Sequence, residues 1–217
     1  MKRQTLDADH GTRRGAPTLP IDWAVAFLNL PGQTESGDQF VVAACADGVL
    51  VGVVDGLGHG EKAAAAAKIA LKTLAEFADE QVDSLIRRCH DELRRTRGVV
   101  MSLAMLNASE NTVTWSAVGN VMAVIQRFDS RISPPREYIL QGGGVVGDRL
   151  PQLRTTVCPI RNGDLLILAT DGIGENFIVE RFWSGDLQGI ADRILSRYAK
   201  GNDEALVLVV RYRGSPS

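Results

Sequence analysis

Three cysteines and three histidines in 217 residues leave little material for thiol or soft-metal chemistry. Cys45, Cys89 and Cys158 are widely spaced and form no C-x-x-C pair, which removes a thiolate zinc site and a dithiol redox pair. An odd, unclustered set of thiols also speaks against a disulfide framework and for a reducing, cytoplasmic setting. Cys45 and Cys158 lie in apolar stretches and read as small core residues. Cys89 has the basic neighbours a nucleophile needs, in Arg87-Arg88-Cys89-His90, but its helical spacing reads as structural. Charge of one sign is lacking too: a formal net charge of -2 offers no bulk attraction for nucleic acid or an anionic membrane. No apolar run is long enough to span a bilayer, and the polar N-terminus has neither the apolar stretch nor the cleavage-like site of a secretory signal.

Two nucleotide-binding signatures are missing as well. Glycines at 56, 58 and 60 follow an apolar run, but the dinucleotide pattern G-x-G-x-x-G would need glycine at 61, where Glu61 stands. No G-x-x-x-x-G-K-[ST] loop occurs.

What is present is an ordinary globular composition, 45% hydrophobic and 23% charged, at a length suited to one well-buried domain. Residues 1–20, rich in Arg, Asp, Gly, Thr and Pro, read as a flexible tail, and residues 21–213 as a single domain. Strands are expected at 21–27, 39–46 and 49–54, the last two joined by the hairpin signal Asp47-Gly48. An Ala-rich helix follows at 61–77, then a helix capped at Asp83-Ser84 and running to about residue 97. The arginines of that second helix, Arg87, Arg88, Arg94, Arg95 and Arg97, read as a solvated face interspersed with Asp91 and Glu92. Further strands are expected at 99–106, 112–118, 122–128, 137–140, 153–158, 165–170 and 205–212, with a helix at 186–198. Helices gathered among antiparallel strand runs point to a layered α+β domain.

Four acidic residues stand at strand ends or beside glycine: Asp38 in Ser36-Gly37-Asp38, Asp55 in Val53-Val54-Asp55-Gly56-Leu57-Gly58-His59-Gly60, Asp171 in Ala169-Thr170-Asp171-Gly172, and Asp203 in Gly201-Asn202-Asp203-Glu204. Any one of them could be a turn residue or a helix cap. Four around the ends of predicted strands suggest a hard-cation site, since magnesium and manganese prefer carboxylate, carbonyl and water oxygens.

In this order, with the Ala-rich helix behind the second motif, these four segments resemble the PPM (type 2C) metal-dependent protein serine/threonine phosphatases, and the D-G-x-G-H-G form is most similar to the SpoIIE/RsbX branch. The resemblance covers most of residues 21–213. It implies a four-layer αββα sandwich of two antiparallel sheets flanked by antiparallel helix pairs, with two Mn2+ or Mg2+ ions at one end. Asp55 would bridge the ions, the carbonyl of Gly56 would complete one coordination sphere, Asp171 and Asp203 would ligate, and Asp38 would act nearby. Catalysis would run through Asp55 and Asp171 by a metal-activated water attacking phosphorus in line. The implied substrates are phosphorylated STAS-domain proteins of a stressosome pathway that controls a sigma factor, met by a monomeric enzyme without nucleic acid or membrane. The alternatives are a SpoIIE-like phosphatase of an anti-anti-sigma factor and a PPM-fold binding module with weak catalysis. The lack of sensor or membrane segments favours the RsbX-like choice.

The chain also departs from the larger relatives. These place an arginine upstream of the first acidic motif, where this chain has Gln-Thr-Glu-Ser at 33–36. They place a histidine directly after Asp-Gly, where Leu57 stands here, so His59 is given no proton-transfer role. Substrate recognition must use other surfaces, with the glycine-rich loop at 142–149 the first candidate.

Overall fold

The computed structural model describes residues 4–6, 19–33, 35–139, 142–181 and 185–214. In chain order the strands are β1 (Gln4–Leu6), β2 (Ile21–Leu28), β3 (Asp38–Cys45), β4 (Gly48–Gly56), β5 (Val99–Asn107), β6 (Thr112–Val118), β7 (Met122–Gln126), β8 (Arg136–Tyr138), β9 (Thr156–Pro159), β10 (Leu165–Ala169) and β11 (Ala205–Tyr212). The helices are α1 (Glu61–Glu76), α2 (Val82–Leu93) and α3 (Leu187–Tyr198), with a 3-10 turn at Glu175–Val179. Among the described residues the strands form two antiparallel sheets, ordered β1-β2-β11-β10-β7-β8 and β3-β4-β5-β6-β9.

Side-chain alternation explains why the sheets stack. In β4, Val49, Val51 and Val53 enter the core between the sheets, whereas Leu50 and Val54 pack under α1 and α2. In β11, Leu206, Leu208, Val210 and Tyr212 point between the sheets, and Ala205, Val207 and Val209 point towards α3. Strands buried on both faces read in sequence as unbroken apolar runs. Each fully buried Leu or Ile contributes about 1.5–3 kcal/mol. Three apolar layers therefore separate four layers of structure, the expected αββα sandwich.

The two outer faces differ. α1 and α2 cover the five-stranded sheet, with Ala63, Ala64, Ala66, Ala67 and Ala70 of α1 all buried. On the other face α3 packs on β2 and β11, and the short 3-10 turn stands where the resemblance implied a second helix. Gly172 and Gly174 precede that turn, and only five residues follow in helical form before Glu180 returns to extended backbone, too few for a helix pair.

Several boundaries shift from the sequence-based expectation. Ala46 and Asp47 make the β3–β4 turn, so Gly48 already opens β4 opposite Cys45. The N-cap of α2 is Gln81, with Asp83 inside the first turn, where its charge favours the helix dipole instead of capping. That helix stops at Leu93, and Thr96 closes the following turn by donating to the Leu93 carbonyl at 2.8 Å. Asp186 does cap α3, accepting from the Gly189 N–H at 2.6 Å. Residues 4–6, within the stretch read as a tail, pair with β2, and residues 1–3 and 7–18 lie outside the described residues.

The two ends of the sandwich are closed differently. At one end Arg127, just past β7, donates from Nη1 to the Pro159 carbonyl of the other sheet at 2.7 Å and to Asp164 at 2.9 Å, and also pairs with Glu137. Tyr212 donates there to Asn111 Oδ1 at 2.9 Å. The other end collects the start of β3, the end of β4, the end of β10 and the start of β11.

Candidate metal centre

Asp38 opens β3 and Asp55 lies opposite it near the end of β4, so the antiparallel register alone makes them neighbours. Like charges directly opposite on a sheet destabilise it unless something intervenes. Asp171 follows β10 by one residue beyond Thr170, and Asp203 and Glu204 precede β11, the strand that pairs with β10. All five carboxylates line one cleft of about 320 Å³, together with Leu57, Gly58, His59, Val100, Asn120 and Val145. No lysine or arginine is among the described residues that line it.

Close backbone approach draws these strand ends together. A β-carbon on Gly56 would stand 2.2 Å from the Ala63 carbonyl oxygen of α1, and one on Gly172 only 1.8 Å from the Glu204 carbonyl oxygen. Both glycines following the strand-end aspartates are therefore required by space.

Two hydrogen-bonded links cross between the sheets at this end. Thr170 Oγ1 donates to Asp38 Oδ2 at 2.7 Å while accepting from the Leu206 N–H at 2.9 Å. Ser36 Oγ and the Gly37 N–H donate to Glu204 Oε2 at 2.9 and 2.8 Å. Asn120 Nδ2 donates to Asp171 Oδ2 at 2.8 Å and orients that carboxylate. Asp203 Oδ1 accepts the Glu204 N–H at 2.9 Å, and its side chain is exposed at the rim.

The charges are in conflict. Burial, then the Asp55 charge, raise the Asp38 carboxyl well above the usual range, with Glu204 and Asp171 adding and the Thr170 hydrogen bond opposing. Burial, followed by Asp171, Asp203 and Glu204, lifts Asp55 to about 7. Such carboxylates ionise together only with a cation among them. Glu204 Oε1, buried and without a hydrogen-bond partner, asks for the same thing. Among the described residues no three His, Cys, Asp or Glu side chains are already drawn in tightly enough to hold an ion by themselves. Magnesium does not need such a cage, because it keeps several waters and takes one or two carboxylates. The donor set, all hard oxygen apart from an exposed imidazole at His59, fits magnesium or manganese.

All four sequence-picked aspartates therefore meet in one cleft, and Gly56 is buried directly behind Asp55. Thr170, Asn120, Ser36 and Glu204 were not picked. Period-two alternation could have found Glu204, which shares its face with Leu206 and Leu208 and so points inward, as Asp55 does with Val51 and Val53. The loop at 142–149 reaches the cleft through Val145 and is pinned by the Val99–Val146 bridge and by the Gly147 N–H donating to His90 Nδ1 at 3.0 Å. Among the five arginines read as a solvated face, Arg88 pairs with Glu80 and Arg94 with Asp91. Arg97 differs: its Nη1 stands 2.6 Å from where a β-carbon on Gly58 would be, beside the cleft wall. It has no ion pair or hydrogen bond among the described residues. Cys89 is fully buried, and burial pushes its thiol up to about 12, which rules it out as a nucleophile.

The family described as stage II sporulation protein E (SpoIIE) matches residues 46–213. The chain belongs to this family. It is a SpoIIE/PP2C-type protein phosphatase domain. It is 31% identical over 156 residues to the phosphoserine phosphatase RsbX of Bacillus subtilis (strain 168), a stretch that covers 70% of this chain and 75% of that protein. Among solved structures, RsbX in complex with magnesium superimposes with a TM-score of 0.77 at 22% identity, covering 97% of this chain and 99% of the other. A chain from a bacterial stressosome system adapted to control secondary messenger signalling gives a TM-score of 0.80 at 24% identity, covering 88% and 99%. The PP2C phosphatase domain of SpoIIE from Bacillus subtilis gives 0.73 at 20% identity, covering 91% and 64%. These structural likenesses bear out the α+β sandwich. No helix among the described residues is long and apolar enough to cross a membrane.

Proposed function

We propose that residues 21–213 form one catalytic domain that hydrolyses phosphoserine and phosphothreonine on STAS-domain regulators of a stress-response sigma-factor pathway, in the cytoplasm, as a monomer using Mg2+ or Mn2+. One observation carries this reading: carboxylates from four strand ends converge in a single cleft, and no lysine or arginine is among the described residues that line it. Asp55, the Gly56 carbonyl, Asp171 and Asp203 would hold the metal, with Asp38 acting directly or through water. Ions bound there would lower the pKa of a coordinated water and neutralise phosphoryl oxygens.

The chain's own residues do the remaining work. Thr170 and Asn120 fix the carboxylates of Asp38 and Asp171, so no reorganisation is needed when charge develops. Leu57, Val100 and Val145 wall the cleft against bulk water and strengthen every interaction inside it. Arg97 replaces the upstream arginine that this chain lacks and attracts the phosphoryl group to the rim beside Gly58. The substrate class follows the RsbX and stressosome likenesses. A binding-only role fits poorly, since clustered carboxylates cost stability when no cation is taken up.

The test is manganese-dependent release of phosphate from phosphorylated STAS-domain proteins, followed by mass spectrometry. Asp55→Asn and Asp171→Asn are expected to lower turnover at least about a hundredfold with the circular dichroism spectrum unchanged. Undiminished turnover in both would remove the assignment. Activity confined to an anti-anti-sigma phosphoprotein would instead select the SpoIIE-like reading, which the likeness to the SpoIIE phosphatase domain supports. Arg97→Ala is expected to raise KM about tenfold with a smaller effect on kcat.

A further inference from the structure

Glu204 has no role in the set of ligands above, yet it is the least exposed of the five acidic residues in the cleft. The residue is 4% exposed. Ser36 Oγ and the Gly37 N–H saturate Oε2 at 2.9 and 2.8 Å. Oε1 is equally buried and has no hydrogen-bond partner. A buried carboxylate oxygen left without a donor is costly, and among the described residues lining this cleft no lysine or arginine can supply one. The fixed oxygen sets the direction of the free one. The side chain lies on the same inward face of its strand as the core residues Leu206 and Leu208, in the cleft that holds Asp38 and Asp55.

We infer that Glu204 Oε1 is a direct ligand of a divalent cation in this cleft, so that the start of β11 supplies two carboxylates to the centre. Asp203 is the exposed, rim-side member, with one oxygen already engaged by the Glu204 N–H. Glu204 is the buried and pre-oriented member. A hard carboxylate oxygen whose partner oxygen is held by two donors is fixed in orientation, which suits a small cation of strict geometry. The inference rests on the metal-dependent reading of the cleft.

Glu204→Gln tests it cleanly. The glutamine carbonyl can still accept from Ser36 and Gly37, so the cross-sheet link survives, and the amide NH2 that takes the place of Oε1 cannot ligate a cation. Mn2+ binding to the full chain is measured by titration calorimetry, beside the metal-free thermal midpoint. Loss of second-shell partners alone weakens metal sites tenfold or more, so a lost ligand is expected to weaken Mn2+ affinity by at least about tenfold. The metal-free midpoint should stay level or rise, because one of several repelling charges is gone. Affinity within threefold of wild type overturns the inference. Crystals of the unaltered protein grown with Mn2+ give a second answer, with the anomalous peak expected about 2.1 Å from Oε1. A peak more than about 4 Å away also overturns it. If wild type takes up no Mn2+, the metal reading itself fails. If wild type binds, Asp55→Asn does not, and Glu204→Gln binds normally, only the role of Glu204 fails.

Discussion

Asp38 is held by one hydroxyl and opposed by its neighbours, and that imbalance makes its site readable in solution. Thr170→Val keeps the shape but removes the donor to Asp38 and the acceptor for the Leu206 N–H. A hydrogen bond to a charged group is worth about 1.5–3 kcal/mol, so chemical denaturation should show a loss of that order with metal present. Asp55 gives a pH signature. Burial first, then its acidic neighbours, lift its carboxyl to about 7 in the folded, metal-free protein, against about 3.9 when unfolded. Its contribution to stability is therefore fully present below about pH 4 and lost as the pH rises through about 7. The metal-free thermal midpoint should fall between about pH 4 and 7 more steeply in wild type than in Asp55→Asn. The rise on adding Mn2+ should widen over the same interval, since the cation meets more ionised carboxylate. Equal slopes in the two proteins would contradict this electrostatic account.

Individual elements are positioned by contacts that leave no room for a side chain. Gly172→Ala sets a β-carbon 1.8 Å from the Glu204 carbonyl oxygen, so β10 and β11 must part at their cleft ends. Overpacking of this kind costs about 1–3 kcal/mol, and here Mn2+ affinity should fall with it. Denaturant midpoints and calorimetry on one variant check both. Much of this geometry was legible beforehand. Apolar runs gave the strands, Asp186 gave the start of α3, and Asp-Gly at two strand ends gave the acidic pair. The cap of α2 was misjudged because Asp83 fits a first-turn position as well as a cap. The cross-sheet links were not legible, since Thr170 and Asp38 are 132 residues apart and Ser36 and Glu204 are 168 apart. Sequence periodicity says which face a residue takes and is silent on which sheet stacks over it. Arg97 is exposed, as read, but its neighbour was not legible for a related reason. Its helix ends at Leu93, and the turn that follows carries the exposed side chain to Gly58.

Across the whole molecule, one end of the sandwich holds its own counter-charges and the other does not. Arg127 is 4% exposed in its side chain and sits between Asp164 and Glu137, joining the two sheets through the Pro159 carbonyl. Arg127→Met leaves two carboxylates without their cation and should cost about 3–5 kcal/mol, with Mn2+ affinity unchanged. Substitution at the cleft end has the opposite sign, since Asp55→Asn relieves repulsion and should stabilise the metal-free protein. A shared sandwich thus answers loss of charge in two ways, according to which end is altered. The same contrast makes the fold resemble a bound book, with its spine at Arg127 and Tyr212 and its open edge at Asp38 and Glu204. Amide exchange should then run as a gradient along the strands, slow near the spine in all conditions and slow at the open edge only once the ion acts as a clasp.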